Sequence, residues 1–302
     1  MNQVDLFNQH RSLLFAIAYR MLGSVSDAED IVQEAWIRWQ NTDTVQFPKA
    51  FLSKIVTRLC IDHLRSARVK REQYVGAWLP EPLVTESITN DSAELAESLS
   101  FAFLMLLECL PPTERAVFLL REVFDYSYDD IAKTVCKSVS NCRQIAHRAR
   151  QHFSLRRSTF CLNIQQQDQL VEQFLTSWNQ GDLQKLLALM AEDVTLWSDG
   201  GGKVTAAEKP LQGCLKVARF LIAIRRSKLV PTLVPQVMLI NGQPGLVNFV
   251  EGEPHSIFSF EFTSRGIQSI FGVVNPEKLK TFGTSPSLNF HLAIAMLIIN
   301  KT

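Results

Sequence analysis

The feature that most constrains this chain is a change of hydrophobic period near residue 165. Before it, apolar residues recur at helical spacing. After it come short strand-like runs separated by glycine and proline. That order predicts a multidomain protein in which all-α modules precede an α+β domain. A length of 302 residues leaves room for two or three compact units. The expected divisions are a helical module over 1–72, a linker over 73–92, a second helical module over 93–158, an α+β domain over 165–284 and an apolar tail over 285–302.

Within the first module, Ser26 and Glu29 read as a capping box. Ala28, Ile31, Val32, Ala35, Trp36 and Trp39 then form an apolar stripe that should bury both tryptophans. The opposite face carries Asp27, Asp30, Gln33 and Glu34. A second helix begins near Pro48, a favourable first-turn residue, and presents Lys54, Arg58, Asp62 and Arg65, then Arg68, Lys70 and Arg71. The linker is marked by Gly76 and Trp78-Leu-Pro-Glu-Pro82. Helical period returns from Ala93 to Leu110 and stops at Pro111-Pro112.

Residues 127–150 have the dimensions of a helix-turn-helix: a short helix capped by Ser127 with Asp130, a tight Cys136-Lys137 connection, and a longer second helix. That helix buries Cys142, Ile145, Ala146 and Ala149. Outward it carries Ser138, Ser140, Asn141, Arg143, Gln144, His147, Arg148 and Gln151, with Arg150 a further candidate for phosphate. Arg, Asn and Gln suit bidentate contacts to base edges, and cations and hydroxyls suit phosphates. Net charge is only +1, but its distribution is uneven. Residues 133–157 hold seven Lys or Arg and no acid, whereas 81–108 hold six acids and no base. A basic surface beside an acidic connector fits a DNA-facing module. The acidic helix suits a basic protein partner and the basic faces suit DNA phosphates.

Six scattered cysteines without a CxxC pair fit a reduced cytoplasm, and no metal site or cofactor is expected. The apolar run from Leu288 to Ile299 is too short to span a bilayer, so no membrane role is expected.

In the second half, helices over 168–179 and 183–190 should precede a meandering antiparallel sheet built from 194–197, 233–240, 245–250, 256–262 and 267–274. No catalytic residues are expected: His255 reads as a loop histidine at a strand start, and Glu192 and Asp193 as helix-end residues. Asp199-Gly-Gly-Gly-Lys203 lacks the spacing of a nucleotide loop. Its three glycines would let the backbone press against another surface, with Asp199 and Lys203 pairing across it. Asn275-Pro-Glu-Lys278 reads as a turn.

Asp27 to Trp36, Phe51 to Arg65, Leu110-Pro-Pro-Thr-Glu-Arg115 and Ser138 to Arg150 resemble conserved regions 2 and 4 of extracytoplasmic-function sigma factors. Trp78 to Pro82, Asp199 to Lys203 and Asn275 to Lys278 resemble the subgroup carrying a fused, cone-shaped SnoaL-like domain. The resemblance covers residues 4–280 and implies a sigma factor whose partners are core RNA polymerase and promoter DNA, duplex and melted. It implies that Asp27, Asp30, Gln33 and Glu34 dock on the β′ clamp helices, with a further contact to the β flap. Lys54, Arg58, Asp62 and Arg65 would meet the −10 element. Ser138, Ser140, Asn141, Arg143, Gln144, His147 and Arg148 would read the −35 element. Trp78, Pro80, Asp199, Gly200, Gly201, Gly202, Lys203, Asn275, Pro276 and Lys278 would form an interdomain regulatory latch. The free protein would be a monomer, and the fused domain would stand in for a separate anti-sigma factor. Two rival readings are a ligand-sensing DNA-binding regulator and a SnoaL-like isomerase or cyclase with a DNA-binding appendage.

Overall fold

A computed structural model describes residues 3–42, 45–72, 74–85, 98–154, 162–227 and 233–284, the side chains of 67–72, 154 and 281–284 excepted. The chain divides into two compact units, Met1–Glu72 with Leu104–Arg157, and Gln73–Phe103 with Ser158–Pro286. The segment expected to be the linker, 73–92, falls in the C-terminal unit.

The helical unit contains α1 (Gln3–Leu22), α2 (Val25–Gln40), α3 (Pro48–Glu72), most of α4 (Phe101–Glu108), α5 (Pro112–Glu122), α6 (Tyr128–Val135) and α7 (Val139–Ser154). Only 101–108 of the expected 93–110 helix is seen as helix, because Ser98–Ser100 form a turn and 86–97 lie outside the described residues. The cap of α2 also differs from expectation. Ser24, two residues earlier, accepts from the Asp27 amide at 3.1 Å, and Ser26 lies inside the helix. Ser24 and Asp27 have the same three-residue spacing as Ser26 and Glu29, so sequence alone cannot separate the two registers. Trp39 is buried but Trp36 is only half-buried, tilted against Phe7 at 4.9 Å between centroids.

α6 and α7 form the expected helix-turn-helix. Ser127 caps α6, accepting from the Asp130 amide at 3.1 Å, and Cys136 closes it in the left-handed region at φ 54°. Cys142, Ile145 and Ala146 pack with Val117, Leu120 and Ile131.

The C-terminal unit carries α8 (Ile164–Gln180), α9 (Leu183–Leu189), β1 (Met190–Asp199), β2 (Leu211–Gln212), α10 (Cys214–Arg226), β3 (Val234–Ile240), β4 (Gln243–Val250), β5 (Glu253–Thr263), β6 (Gly266–Val273) and α11 (Pro276–Thr284). It is α+β, but the sheet is not a pure antiparallel meander. Its order is β2-β1-β6-β5-β4-β3, and β1 lies parallel to β6. Only β3 to β6 meander, through hairpins whose turn pairs Asn241-Gly242 and Glu251-Gly252 all have positive φ, matching the right-handed strand twist. The intervening β2 and α10 carry the chain back so that β1 and β6 can run side by side. Glu192 and Asp193 lie in β1, not at a helix end.

Phe258, Phe260 and Phe262 alternate along β5 and share one face of the sheet. Phe260 meets Phe174 edge-on at 5.1 Å, and Phe258 meets Trp178 at 5.5 Å. Burying each such ring contributes roughly 1.5–3 kcal/mol. The Trp178 indole donates to the Leu221 carbonyl at 2.8 Å, tying α8 to α10. Phe271 packs on Phe101 at 5.8 Å, so residues ahead of the main domain also cover the sheet.

Candidate functional site

The outer face of α7 is open. Ser138, Ser140, Asn141, Arg143, Gln144, His147 and Arg148 are all exposed, in agreement with the helical period. Ser138 is also the cap of this helix, because its hydroxyl accepts from the Asn141 amide at 3.2 Å. Arg143 lies over the Tyr128 ring at 5.6 Å, and Arg148 pairs with Glu114 at 3.2 Å. Both contacts lie at the surface and leave guanidinium faces toward solvent.

On α2, Asp30 and Gln33 are exposed. Glu34 pairs with Arg38 one turn on at 2.8 Å, and Asp27 lies 3.5 Å from His63. On α3, Asp62 and Arg65 are exposed and Lys54 is half-buried. Arg58 departs from its expected role as an open DNA contact. Its guanidinium donates to the Thr134 carbonyl at 2.9 Å, to the Lys133 carbonyl at 3.1 Å and to Cys136 Sγ. These carbonyls are unpaired because α6 ends there, and a cation at a helix C-terminus is favoured by the dipole. α3 and the helix-turn-helix are held together further by Tyr126, whose hydroxyl bonds that of Ser53 at 2.7 Å. Buried Arg115 on α5 donates to the Met21 carbonyl and to Glu108, each at 2.6 Å. The side chains of Arg68, Lys70 and Arg71 lie outside the described residues.

The C-terminal unit holds a buried charge site. Asp199, fully buried at the end of β1, collects four donors. Oδ1 accepts from the Tyr74 hydroxyl at 2.6 Å and from the Gly201 amide at 3.0 Å. Oδ2 accepts from the Leu79 amide and from Lys278 Nζ, both at 2.8 Å. Lys278 also donates to the Leu79 carbonyl and lies 4.3 Å from the centroid of the Trp78 ring. Burial, and then the bond to Asp199, pushes the Tyr74 hydroxyl well above the usual tyrosine range. Pro80 is buried as well.

Gly201 has φ 61°, and a side chain there would collide with the Asn275 amide, so the turn can approach Asn275 only without a Cβ. Gly200 is similarly closed off by the Val204 carbonyl, and Gly202 faces Val75. Asn275 donates to the Tyr74 hydroxyl at 3.0 Å, and its Oδ1 accepts from the Glu277 amide at 3.0 Å, capping α11. Asn275-Pro-Glu-Lys278 is thus a helix start with proline at its first position, not merely a turn. Asp199 and Lys203 do not pair with each other: Asp199 takes Lys278, and Lys203 takes exposed Glu277.

A second hold on the same connecting segment was not anticipated. Asn241, in the β3–β4 turn at φ 52° and fully buried, accepts from the Leu83 amide at 2.8 Å and donates to the Leu99 carbonyl at 2.9 Å. Val84 bridges antiparallel to Ile240, and the Gly242 amide donates to the Thr85 hydroxyl at 3.1 Å. The sequence pattern marks only the flanking strand runs, 233–240 and 245–250.

Among the described residues, no group of His, Cys, Asp or Glu is arranged to hold a metal ion, and no helix is long and apolar enough to cross a membrane. His255 is exposed at the rim of a cavity also lined by Glu253 and Lys280.

Comparison with known proteins matches these modules. The sigma-70 region 2 family model covers residues 6–69, and the sigma-70 region 4 model covers 100–153. The chain is 33% identical over 291 residues to the ECF RNA polymerase sigma factor SigJ of Mycobacterium tuberculosis, spanning 91% of this chain and 93% of that one. It is 28% identical over 284 residues to a protein of the same organism described as probable ECF RNA polymerase sigma factor SigI, spanning 89% and 92%. The crystal structure of M. tuberculosis SigJ superposes with a TM-score of 0.72 at 29% identity, covering 93% of this chain and 99% of that one.

Proposed function

The chain belongs to the extracytoplasmic-function sigma factors of RNA polymerase and directs promoter-dependent transcription initiation, and from this premise we propose how its surfaces divide that work. The α2 face of Asp27, Asp30, Gln33 and Glu34 binds core polymerase at the β′ clamp helices, with the helix-turn-helix unit engaging the β flap. Lys54, Arg58, Asp62 and Arg65 meet the −10 element. Asn141, Arg143 and Gln144 read −35 base edges, while Ser138, Ser140, His147 and Arg148 hold flanking phosphates. The observation that carries this reading is the α7 face, on which every one of these side chains is solvent-facing and none is acidic. Because Arg58 is engaged with the end of α6, its use at the −10 element requires α3 and α6 to part.

The C-terminal unit regulates by gripping the segment between the two DNA-binding modules, at Asp199 and again at Asn241, so that no separate anti-sigma factor is needed. The protein acts in the cytoplasm, as a monomer until it meets polymerase, and without catalysis of its own.

Run-off transcription tests the reading. The purified chain should support promoter-specific transcripts only with core polymerase present. Arg143→Ala should lose about 1–3 kcal/mol of promoter discrimination at one base position while keeping its fold. Tight, specific duplex binding without polymerase, combined with no binding to core, would reject it.

A further inference from the structure

The C-terminal unit encloses a cavity of about 730 Å³. Protein interiors are close-packed, and a space of this size between well-packed helices and sheet is a built feature, falling within the range of small-molecule sites at roughly 300–1,000 Å³. Its floor is aromatic and aliphatic, with Trp178, Leu221 and Phe258 reaching it from the core and Phe220 and Ile224 from α10. Its polar features are few and specific. Ser256 is buried at the wall, and its hydroxyl already accepts from the Asn248 amide at 3.0 Å, so its own proton can be donated inward. The rim carries Glu253, His255 and Lys280, both signs of charge together, which favours a ligand with no net charge.

The walls of this cavity are also the back of the Asp199 site. Ser198 lines the cavity, and the next residue is Asp199. Val204 to Ala207 line it, directly after the Gly200–Lys203 turn. On α11, Pro276, Leu279 and Lys280 line it, while Lys278 between them turns to Asp199. Successive helical positions point about 100° apart, so one short helix serves both sides.

We propose that this cavity binds a neutral, largely apolar, ring-bearing small molecule with a hydrogen-bond acceptor for Ser256, and that its occupancy stiffens the grip on residues 74–79. The binding site stands on the cavity alone. The coupling rests on the regulatory reading given above.

Nile red, which is planar, neutral and carries a carbonyl acceptor, is the probe, titrated into the full chain. Blue-shifted emission should saturate at one dye per chain. Ile224→Trp, which fills the cavity, should weaken binding at least ten-fold, and Ser256→Ala should weaken it about five-fold through the lost hydrogen bond. Exchange of the Leu79 amide, followed by mass spectrometry, should slow several-fold at saturating dye. Emission that never saturates overturns the site. So does emission that saturates equally in both variants, and Ser256→Ala decides the matter should Ile224→Trp not fold. Saturable, variant-sensitive binding with unchanged Leu79 exchange overturns the coupling. That result leaves the Asp199 grip itself standing, since the urea unfolding of Asp199→Ala and Lys278→Met tests it separately.

Discussion

One ion pair from each unit places charge in opposite surroundings. In the helical unit, Arg148 and Glu114 pair at 3.2 Å with 60% and 28% of their side chains exposed. In the C-terminal unit, Asp199 and Lys278 pair at 2.8 Å with 0% and 8% exposed. The first arrangement adds little to the fold and leaves a cation that DNA can recruit. The second is closed to any outside partner, and its strength lies in the cost of breaking it. The exposed pair keeps Arg148 available at the surface, whereas the buried pair ties β1 and α11 to the segment around Leu79.

The sharpest way to break this contrast is Asp199→Ala. It strands the Lys278 ammonium, the Tyr74 hydroxyl and the Leu79 amide, and should destabilise the C-terminal unit by about 3–5 kcal/mol in urea unfolding. Lys278→Met should cost less, about 2 kcal/mol, since the carboxylate keeps the donors of Tyr74, Leu79 and Gly201. Equal losses, or an Asp199→Ala loss below about 1 kcal/mol, would show that the site is not the tie described.

Asn241 comes next in size. Asn241→Ala leaves the Leu83 amide and the Leu99 carbonyl unpaired in the interior and puts alanine at φ 52°, for an expected loss of about 2–4 kcal/mol. Asn241→Gly removes the same bonds but relieves the backbone, and should recover only about 1 kcal/mol. Full recovery by glycine would mean that the turn alone matters and that the linker is not held there.

Legibility followed the range of the interactions. The exposed face of α7 was visible because a helical period encodes it within residues 138–150. The strands on either side of Asn241-Gly242 were visible because their pattern is local, whereas the bonds of Asn241 to Leu83 and Leu99 span 158 and 142 residues and leave no periodic trace. Arg58 was read as an open cation because nothing local reveals that α6 ends beside it. α10 escaped notice because it begins after Gly213 without a side-chain cap and buries only Val217, Ala218 and Leu221. The parallel β1–β6 pairing was lost with it, since that crossover is what parallel strands need. The motifs at Asp199 and Asn275 were flagged by resemblance. Their mutual contacts with Tyr74 and Leu79 required the folded chain.

The smallest effect on stability carries the most information about recognition. Arg148→Ala removes an exposed pair, so the fold should change by less than about 0.5 kcal/mol. If Arg148 meets a phosphate, the same change should weaken promoter binding by the polymerase holoenzyme uniformly across −35 sequences. It should also lower the slope of log affinity against log salt by about one. Lys203→Ala is the matched control: Lys203 also forms an exposed pair, with Glu277, so its removal should be as mild for the fold. It lies in the C-terminal unit and should leave the salt slope unchanged. A slope that shifts equally in both variants would mean that surface charge acts only through the general field of the molecule. A shift confined to Arg148→Ala would assign the DNA contact to the face whose charges the fold leaves outside.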